Sequence, residues 1–150
     1  MKTIYCDASF DWTNTEKNGE NFVRGKIAVS CDSFERIDKV AVGKVEGLKQ
    51  YINILELTAI ARAIELASEL NPKPESLAIY TDSRTAMIWA GAGKINPKVA
   101  TLAHHNALDY LRKARMLYGG IITFNFTRRE GNPAGILLER ELEKEKPHAI

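Results

Sequence analysis

The stretch Leu77-Ala78-Ile79-Tyr80-Thr81-Asp82-Ser83 decides the fold. It is a short apolar run that ends abruptly in an aspartate and a serine, and a loop containing Pro72 and Pro74 precedes it. A run of this kind predicts a buried strand, and a carboxylate at its C-terminal end lies at the rim of a sheet, where α/β folds bind ligands. Taken alone, such an Asp is explained equally well as the start of a turn.

A second strand-like run ends in the same way. Thr3-Ile4-Tyr5-Cys6-Asp7-Ala8-Ser9 again places an aspartate and a nearby serine after apolar residues. Two strands that each end in an aspartate favour a site at which Asp7 and Asp82 meet. The turn explanation is weaker for the pair than for either residue alone.

The remaining runs predict the order of elements βββ-α-β-α-α-β-α. Strands at 2–10, 23–32 and 39–47 are closely spaced, which favours an antiparallel meander, with 11–22 as a polar loop. Further elements are helices over 51–70, over 84–92 and from 99 to before Gly119, and strands ending near Asp82 and spanning 121–126. The last helix begins at Asn132-Pro133, because Asn is a favoured N-cap and Pro a favoured first helical residue.

Length and composition are those of an ordinary globular protein. The 150 residues are most simply one domain, with a hydrophobic fraction of 45% and a charged fraction of 27%. The net charge from 21 basic and 19 acidic residues is +2, too small to indicate nucleic-acid binding by itself. Without a signal-peptide pattern or an apolar run of about 18 residues, we expect a cytoplasmic location and no membrane partner. The protein is also expected to be a monomer. Cys6 and Cys31 are expected to be buried free thiols rather than a disulfide.

Glu56 is the third carboxylate of interest. It lies early in the predicted helix 51–70, beside the apolar stripe, and it could converge with Asp7 and Asp82 on one edge of the sheet. For Glu56 alone, an exposed helix carboxylate is the simpler explanation. Clustered carboxylates repel each other and resist ionisation unless a cation neutralises them. Mg²⁺ prefers oxygen ligands, and two such ions about 3.5–4 Å apart can activate water and stabilise the leaving oxygen of a phosphodiester.

Four motifs together resemble type 1 ribonuclease H, in a short-loop form without the loop histidine. They are the segments 4–9, 53–57, 79–83 and 128–134, and the resemblance covers nearly the whole chain. It implies a ribonuclease H-like α/β (mixed α+β) fold, in which helices flank a five-stranded mixed sheet with three antiparallel strands. It also implies an endonuclease that uses Mg²⁺, with Mn²⁺ as an alternative, to hydrolyse the RNA strand of RNA–DNA hybrids by a two-metal-ion mechanism.

The resemblance assigns roles to individual residues. Asp7, Glu56 and Asp82 match three of the family's four metal-binding carboxylates. Asn53 resembles a position that contacts the hybrid, although a cap at the start of its helix explains it equally well. Contacts to phosphate or 2′-hydroxyl groups are expected from five more residues, Ser9, Ser83, Arg84, Arg128 and Arg129. For the last two, solvated surface arginines are the alternative.

The fourth carboxylate is the main departure from the family pattern. The family has an Asp four residues after the Asn of the last motif, and Ile136 occupies that position here. Glu139, about one helical turn later, is expected to act as the fourth metal ligand, with Glu130 as the fallback and a surface ion pair as the alternative. Because a ligand is replaced, the alternative function is a catalytically weakened hybrid- or RNA-binding module with the same fold.

A second departure from the family pattern concerns the basic residues that bind the substrate. The basic helix-and-loop extension that some members use to hold the DNA strand is reduced here to residues 93–98. Substrate binding is therefore expected either to be weaker or to depend on four other basic residues, Lys94, Lys98, Arg112 and Lys113.

Overall fold

The computed structural model of the chain describes residues 1–10, 22–43 and 48–145. The elements are β1 (Lys2–Phe10), β2 (Phe22–Ser30), β3 (Glu35–Gly43), α1 (Leu48–Ser68), β4 (Ser76–Thr81), α2 (Arg84–Ala92), α3 (Leu102–Tyr118), β5 (Ile121–Phe126) and α4 (Pro133–Glu145), with a 3₁₀ turn at Arg129–Gly131 before α4. This order confirms the predicted βββ-α-β-α-α-β-α arrangement.

The five strands form one mixed sheet in the order β3-β2-β1-β4-β5. The first three strands pair antiparallel, as the meander prediction requires, and β4 and β5 run parallel to β1. Parallel pairing brings the C-terminal ends of β1, β4 and β5 to one edge of the sheet. Because Tyr5 pairs with Tyr80, Asp7 and Asp82 both lie two residues beyond the same pair.

The third strand is displaced from its predicted position at 39–47. It begins at Glu35, because Ser30 pairs with Glu35 and the Cys31 N–H donates to the Phe34 carbonyl at 2.9 Å, which closes a tight connection after β2. The predicted strand residues 44–47, and residues 11–21 of the predicted polar loop, lie outside the described residues. Hydrophobic alternation alone had not located the start of β3, because half of this strand is exposed.

Two apolar clusters lie on opposite faces of the sheet. Alternate residues of β1 point to opposite faces, so Ile4 and Cys6 pack against α1 while Tyr5 packs towards α4. Helix α1 is buried between the sheet and α3, and each of its fully buried Leu and Ile side chains contributes about 1.5–3 kcal/mol. Helix α4 covers β1 and β2 through Ala134 and Leu138.

Two further expectations can be compared with the described part of the chain. Both cysteines are free thiols there, as predicted, but only Cys6 is buried, because Cys31 lies just after β2 and is partly exposed. None of the helices in those residues combines the length and apolar character that a membrane crossing needs.

Candidate metal centre and cleft

Three carboxylates meet at the edge where β1 and β4 end. Asp7 lies in β1, Glu56 in α1 and Asp82 directly after β4, and each offers an oxygen within 4.8 Å of the others. Asp7 and Glu56 are buried, at 8% and 4% exposed, and Asp82 is half-buried. The structure therefore brings together the three residues that the sequence had suggested from separate elements.

The Asp82 backbone is fixed by the start of α2. Ser83 is the N-cap of this helix, and its hydroxyl accepts a hydrogen bond from the Ala86 N–H at 3.1 Å. The Ser83 N–H in turn donates to the Thr81 hydroxyl at 3.1 Å. A capped helix start immediately after the strand holds the Asp82 carboxylate at the sheet edge.

Glu56 provides the most direct indication that these residues fit a bound cation. One oxygen, Oε1, accepts a hydrogen bond from the Ala8 N–H at 3.3 Å, whereas the buried Oε2 has no hydrogen-bond partner among the described residues. An unsatisfied buried carboxylate oxygen is costly unless something else satisfies it. Three crowded carboxylates with one such free oxygen fit a hard divalent cation such as Mg²⁺, which takes oxygen ligands.

The electrostatics of the three groups point the same way. Burial raises the pKa of Asp82 to about 6, and the negative charge of Asp7 adds to the rise. Burial, and then the charge of Asp7, raises the pKa of Glu56 well above its usual range, and burial also raises the pKa of Asp7. The positive charge of Arg129 acts in the opposite direction on the pKa values of Asp7 and Asp82. Without a bound cation, the centre therefore resists full ionisation.

Asn132 is a site residue whose full role the sequence did not reveal. It was predicted only as an N-cap, and its Oδ1 does accept a hydrogen bond from the Ala134 N–H at 3.1 Å. In addition, it is fully buried and its Nδ2 donates to the Cys6 carbonyl at 3.0 Å. Its side chain also hydrogen-bonds Asp82, which counteracts the rise in the pKa of that carboxyl. One amide thus ties α4 to the ends of β1 and β4.

Gly135 is a second residue that sequence reasoning missed. It is buried in the first turn of α4, where a Cβ atom would lie 2.9 Å from Asp7 Oδ2. Only glycine lets the α4 backbone approach the carboxylate this closely. The available clue was a glycine inside a predicted helix, which often marks a close backbone contact.

An open cleft of about 860 Å³ surrounds the carboxylates. Besides the three acids, its lining includes residues from β1, α1, β5 and the segment before α4: Ala8, Ser9, Phe10, Ile52, Phe126, Arg128, Arg129 and Glu130. Three of the predicted nucleic-acid contacts, Ser9, Arg128 and Arg129, thus line the cleft beside the acids. Its walls combine aromatic and cationic side chains.

The other three predicted contacts lie beside this cleft. Asn53 is the sixth residue of α1, so it is not a cap at the start of that helix, and its Oδ1 faces the Ser83 hydroxyl at 3.5 Å. Ser83 itself serves as the N-cap described above. Arg84 is exposed, and its guanidinium stacks over the Phe126 ring at 4.1 Å.

Glu139 is the predicted site residue that is not brought into the cluster. It is exposed on α4, and the acidic group found among the described residues contains only Asp7, Glu56 and Asp82. Glu139 lies one helical turn after Gly135 on the same side of α4, and helical side chains lean towards the N-terminus. The fallback, Glu130, lines the cleft but is likewise no member of that group.

The chain resembles known proteins in structure and not in sequence. No family model and no curated protein sequence matches the chain. The RNase H1 of the halophilic archaeon Halobacterium salinarum NRC-1 superposes with a TM-score of 0.62 at 13% identity, over 95% of this chain and 98% of that one. LC11-RNase H1, from compost and solved in complex with an RNA/DNA hybrid, gives 0.60 at 14% identity over 95% and 99%.

A third solved structure gives a similar result. The N-terminal RNase H domain of a Mycobacterium tuberculosis protein superposes with a TM-score of 0.57 at 10% identity, over 97% of this chain and the whole of that one. At such low identities the comparisons establish the architecture. The chain has a ribonuclease H-like fold, with a five-stranded mixed sheet and four helices, as the sequence predicted.

Proposed function

We propose that the protein is a metal-dependent endoribonuclease that hydrolyses the RNA strand of RNA–DNA hybrids. The observation that carries the proposal is the convergence of Asp7, Glu56 and Asp82 within 4.8 Å at the strand ends. The similarity to LC11-RNase H1, which was solved with an RNA/DNA hybrid, supports this substrate class. The short segment with Arg128 and Arg129 corresponds to the short-loop form of the family.

The three carboxylates would hold the cations, for which Mg²⁺ is proposed and Mn²⁺ is the alternative. Bound divalent ions would supply an activated water and stabilisation of the leaving oxygen. The protein positions their ligands beforehand: the Ala8 N–H orients Glu56, and the Asn132 side chain holds Asp82 against β1. Burial of these groups strengthens their electrostatic attraction for a cation.

The residues around the acids would orient the substrate. Arg128 and Arg129 are exposed beside the carboxylates and can pair with backbone phosphates, since a guanidinium binds phosphate in a bidentate manner. Asn53 and Ser9 lie where polar groups can contact the 2′-hydroxyls that distinguish RNA from DNA. Glu139 remains the proposed fourth ligand, and α4 presents it one turn beyond Gly135.

A binding module without cleavage is the second candidate function. The observation that favours it is the exposed position of Glu139 outside the acidic cluster, which leaves three acids where the family has four. The same cleft would then bind hybrid or RNA without cutting it.

One assay separates the two candidates. Labelled RNA–DNA hybrid, RNA duplex and DNA duplex are incubated with the protein, with and without Mg²⁺ or Mn²⁺, and the products are resolved on a denaturing gel. The nuclease proposal requires metal-dependent fragments of the RNA strand of the hybrid. Retention of intact hybrid in a binding assay, with no fragments under any metal condition, would establish the module instead.

A further inference from the structure

Two arginines stack on neighbouring aromatic residues of the edge strand β5. Arg84, at the start of α2, covers Phe126 at 4.1 Å, and Arg115, near the end of α3, covers Phe124 at 5.4 Å. Both arginines are exposed, and neither forms an ion pair with a carboxylate among the described residues. Their charges are therefore available to an external partner.

The two pairs form a row that leads away from the cleft. Phe124 and Phe126 are two residues apart on one face of β5, a spacing of about 6.6 Å along the strand. Phe126 also lines the cleft together with Arg128 and Arg129. The row thus continues from the cleft arginines through Arg84 to Arg115.

The elements α2 and β5, which carry Arg84 and the two phenylalanines, supply no negative charge to this row. Neither α2 nor β5 has an Asp or a Glu in its sequence, and residues 127–129 between β5 and the 3₁₀ turn add two arginines. Exposed cations held over aromatic rings along one strand match a chain of phosphates. Two strand residues span about the same distance as two nucleotides, which rise about 3.4 Å each.

Two of the four basic residues predicted from the sequence to hold the substrate are less suited to this task. Arg112 donates to the Gly93 carbonyl at 2.9 Å and pairs with Asp109 at 3.4 Å, so its charge is partly neutralised. Lys113 lies two residues before Arg115, about 200° around α3, and so faces away from β5. The row from Arg84 to Arg115 is therefore a different substrate contact from the one expected from the sequence.

We propose that the row from Arg84 to Arg115 along β5 binds the phosphate backbone of the nucleic acid where it extends beyond the cleft. This inference rests on the proposed function for the identity of the duplex, and it adds a second contact surface outside the cleft. The guanidinium of Arg115 lies over an aromatic ring, which restricts its freedom and orients its outer face towards solvent. Arg115 is the informative residue, because it belongs to neither the acidic centre nor the cleft lining.

The test uses variants that separate charge from packing. Arg115 Nη1 donates to the Ala90 carbonyl at 3.4 Å, and Arg115→Gln retains an amide donor for this contact while it removes the charge. Lys39→Gln is the control, because it removes one exposed charge from β3, at the opposite edge of the sheet from β5. Arg115→Lys keeps the charge without the planar group. Thermal unfolding of each variant checks that the fold is intact.

Binding is measured by fluorescence anisotropy with Ca²⁺ in place of Mg²⁺, for two hybrids over a range of salt. One hybrid spans only the cleft, and the other extends about six base pairs past it, about 20 Å. We expect Arg115→Gln to weaken binding of the longer hybrid by about fivefold and to lower its salt slope by about one, with no change for the shorter hybrid. Lys39→Gln should match the parent, and Arg115→Lys should retain most of the affinity.

Each other outcome overturns the inference. Equal losses in Arg115→Gln and Lys39→Gln would indicate a general effect of net charge. Unchanged binding of the longer hybrid by Arg115→Gln would show that the row makes no contact. If Arg115→Lys binds as weakly as Arg115→Gln, the inference that Arg115 binds phosphate through its positive charge is refuted. Because binding is read without cleavage, a parent protein that binds hybrid but never cuts it would refute the nuclease proposal and leave this inference standing.

Discussion

Replacing Asp82 with Asn should stabilise the metal-free fold while it abolishes cleavage. In the parent, burial and the charge of Asp7 raise the pKa of Asp82 from its ordinary 3.8 to about 6. This rise corresponds to about 3 kcal/mol of unfavourable interaction for the ionised group. Since Asp82 is only half-buried and solvent screens part of the interaction, we expect about 1–2 kcal/mol of added stability in Asp82→Asn.

The pH dependence follows from the direction of the shift. The folded parent binds a proton at Asp82 more readily than the unfolded chain does, so its metal-free stability rises as the pH falls from above about 6 towards 3.8. The advantage of Asp82→Asn is therefore largest above about pH 7 and disappears near pH 4. A gain of 1–2 kcal/mol raises Tm by about 2–8 °C for a chain of this size.

The assay is thermal and urea unfolding in EDTA between pH 4 and 8. Asp109→Asn is the control, because Asp109 is exposed and pairs with Arg112, so its loss brings no relief of repulsion. The reasoning is refuted if Asp82→Asn is no more stable than the parent at pH 8, or if its advantage is the same at every pH. Either result would mean that the three carboxylates do not repel each other as strongly as their proximity indicates.

Three further predictions concern the surroundings of the acids. Gly135→Ala should weaken Ca²⁺ binding by about tenfold in calorimetry, because the added Cβ would displace the Asp7 carboxylate. Gly91→Ala is the control and should leave Ca²⁺ binding unchanged, since a Cβ at Gly91 meets nothing within 4 Å. Asn53→Ala should lower the rate of hybrid cleavage without changing Ca²⁺ affinity, and a variant that loses metal affinity but cuts normally at saturation would show that this role is wrong. Glu139→Gln should lower cleavage by about tenfold, or 1.4 kcal/mol, and raise the Mg²⁺ requirement. Should Glu130→Gln lose activity while Glu139→Gln does not, the fourth ligand comes from the segment before α4.

The order of elements was predictable because local sequence patterns determine it. The run 77–83 could be recognised as a strand that ends in a carboxylate, and Asn132-Pro133 correctly indicated the start of α4. The start of β3 was missed because its first four residues, 35–38, contain a single apolar residue and no alternation, whereas residues 39–42 do alternate. Its position depends on pairing with β2 rather than on its own residues.

The site was predictable only in part, because its details depend on distances between elements. A motif could associate Asp7, Glu56 and Asp82, but it could not show that Asn53 lies inside α1 instead of capping it. The double use of the Asn132 amide, as a cap and as a bond to Cys6, requires α4 to pack across β1. Likewise, the need for a glycine at position 135 follows only from the position of the Asp7 carboxylate in the folded structure.

The most direct test of the central claim is single-turnover cleavage of labelled hybrid by the parent and by Glu56→Gln, followed across a Mg²⁺ titration. Glu56 is the most buried of the three acids, and its Oε2 is the oxygen without a hydrogen-bond partner. Replacing Glu56 with Gln removes a cation ligand and also lowers the repulsion among the carboxylates. The account predicts Mg²⁺-dependent fragments of the RNA strand from the parent and none from Glu56→Gln, although both bind the hybrid in Ca²⁺. Equal cleavage by the two proteins, or tight binding by the parent without cleavage at any Mg²⁺ or Mn²⁺ concentration, would contradict it.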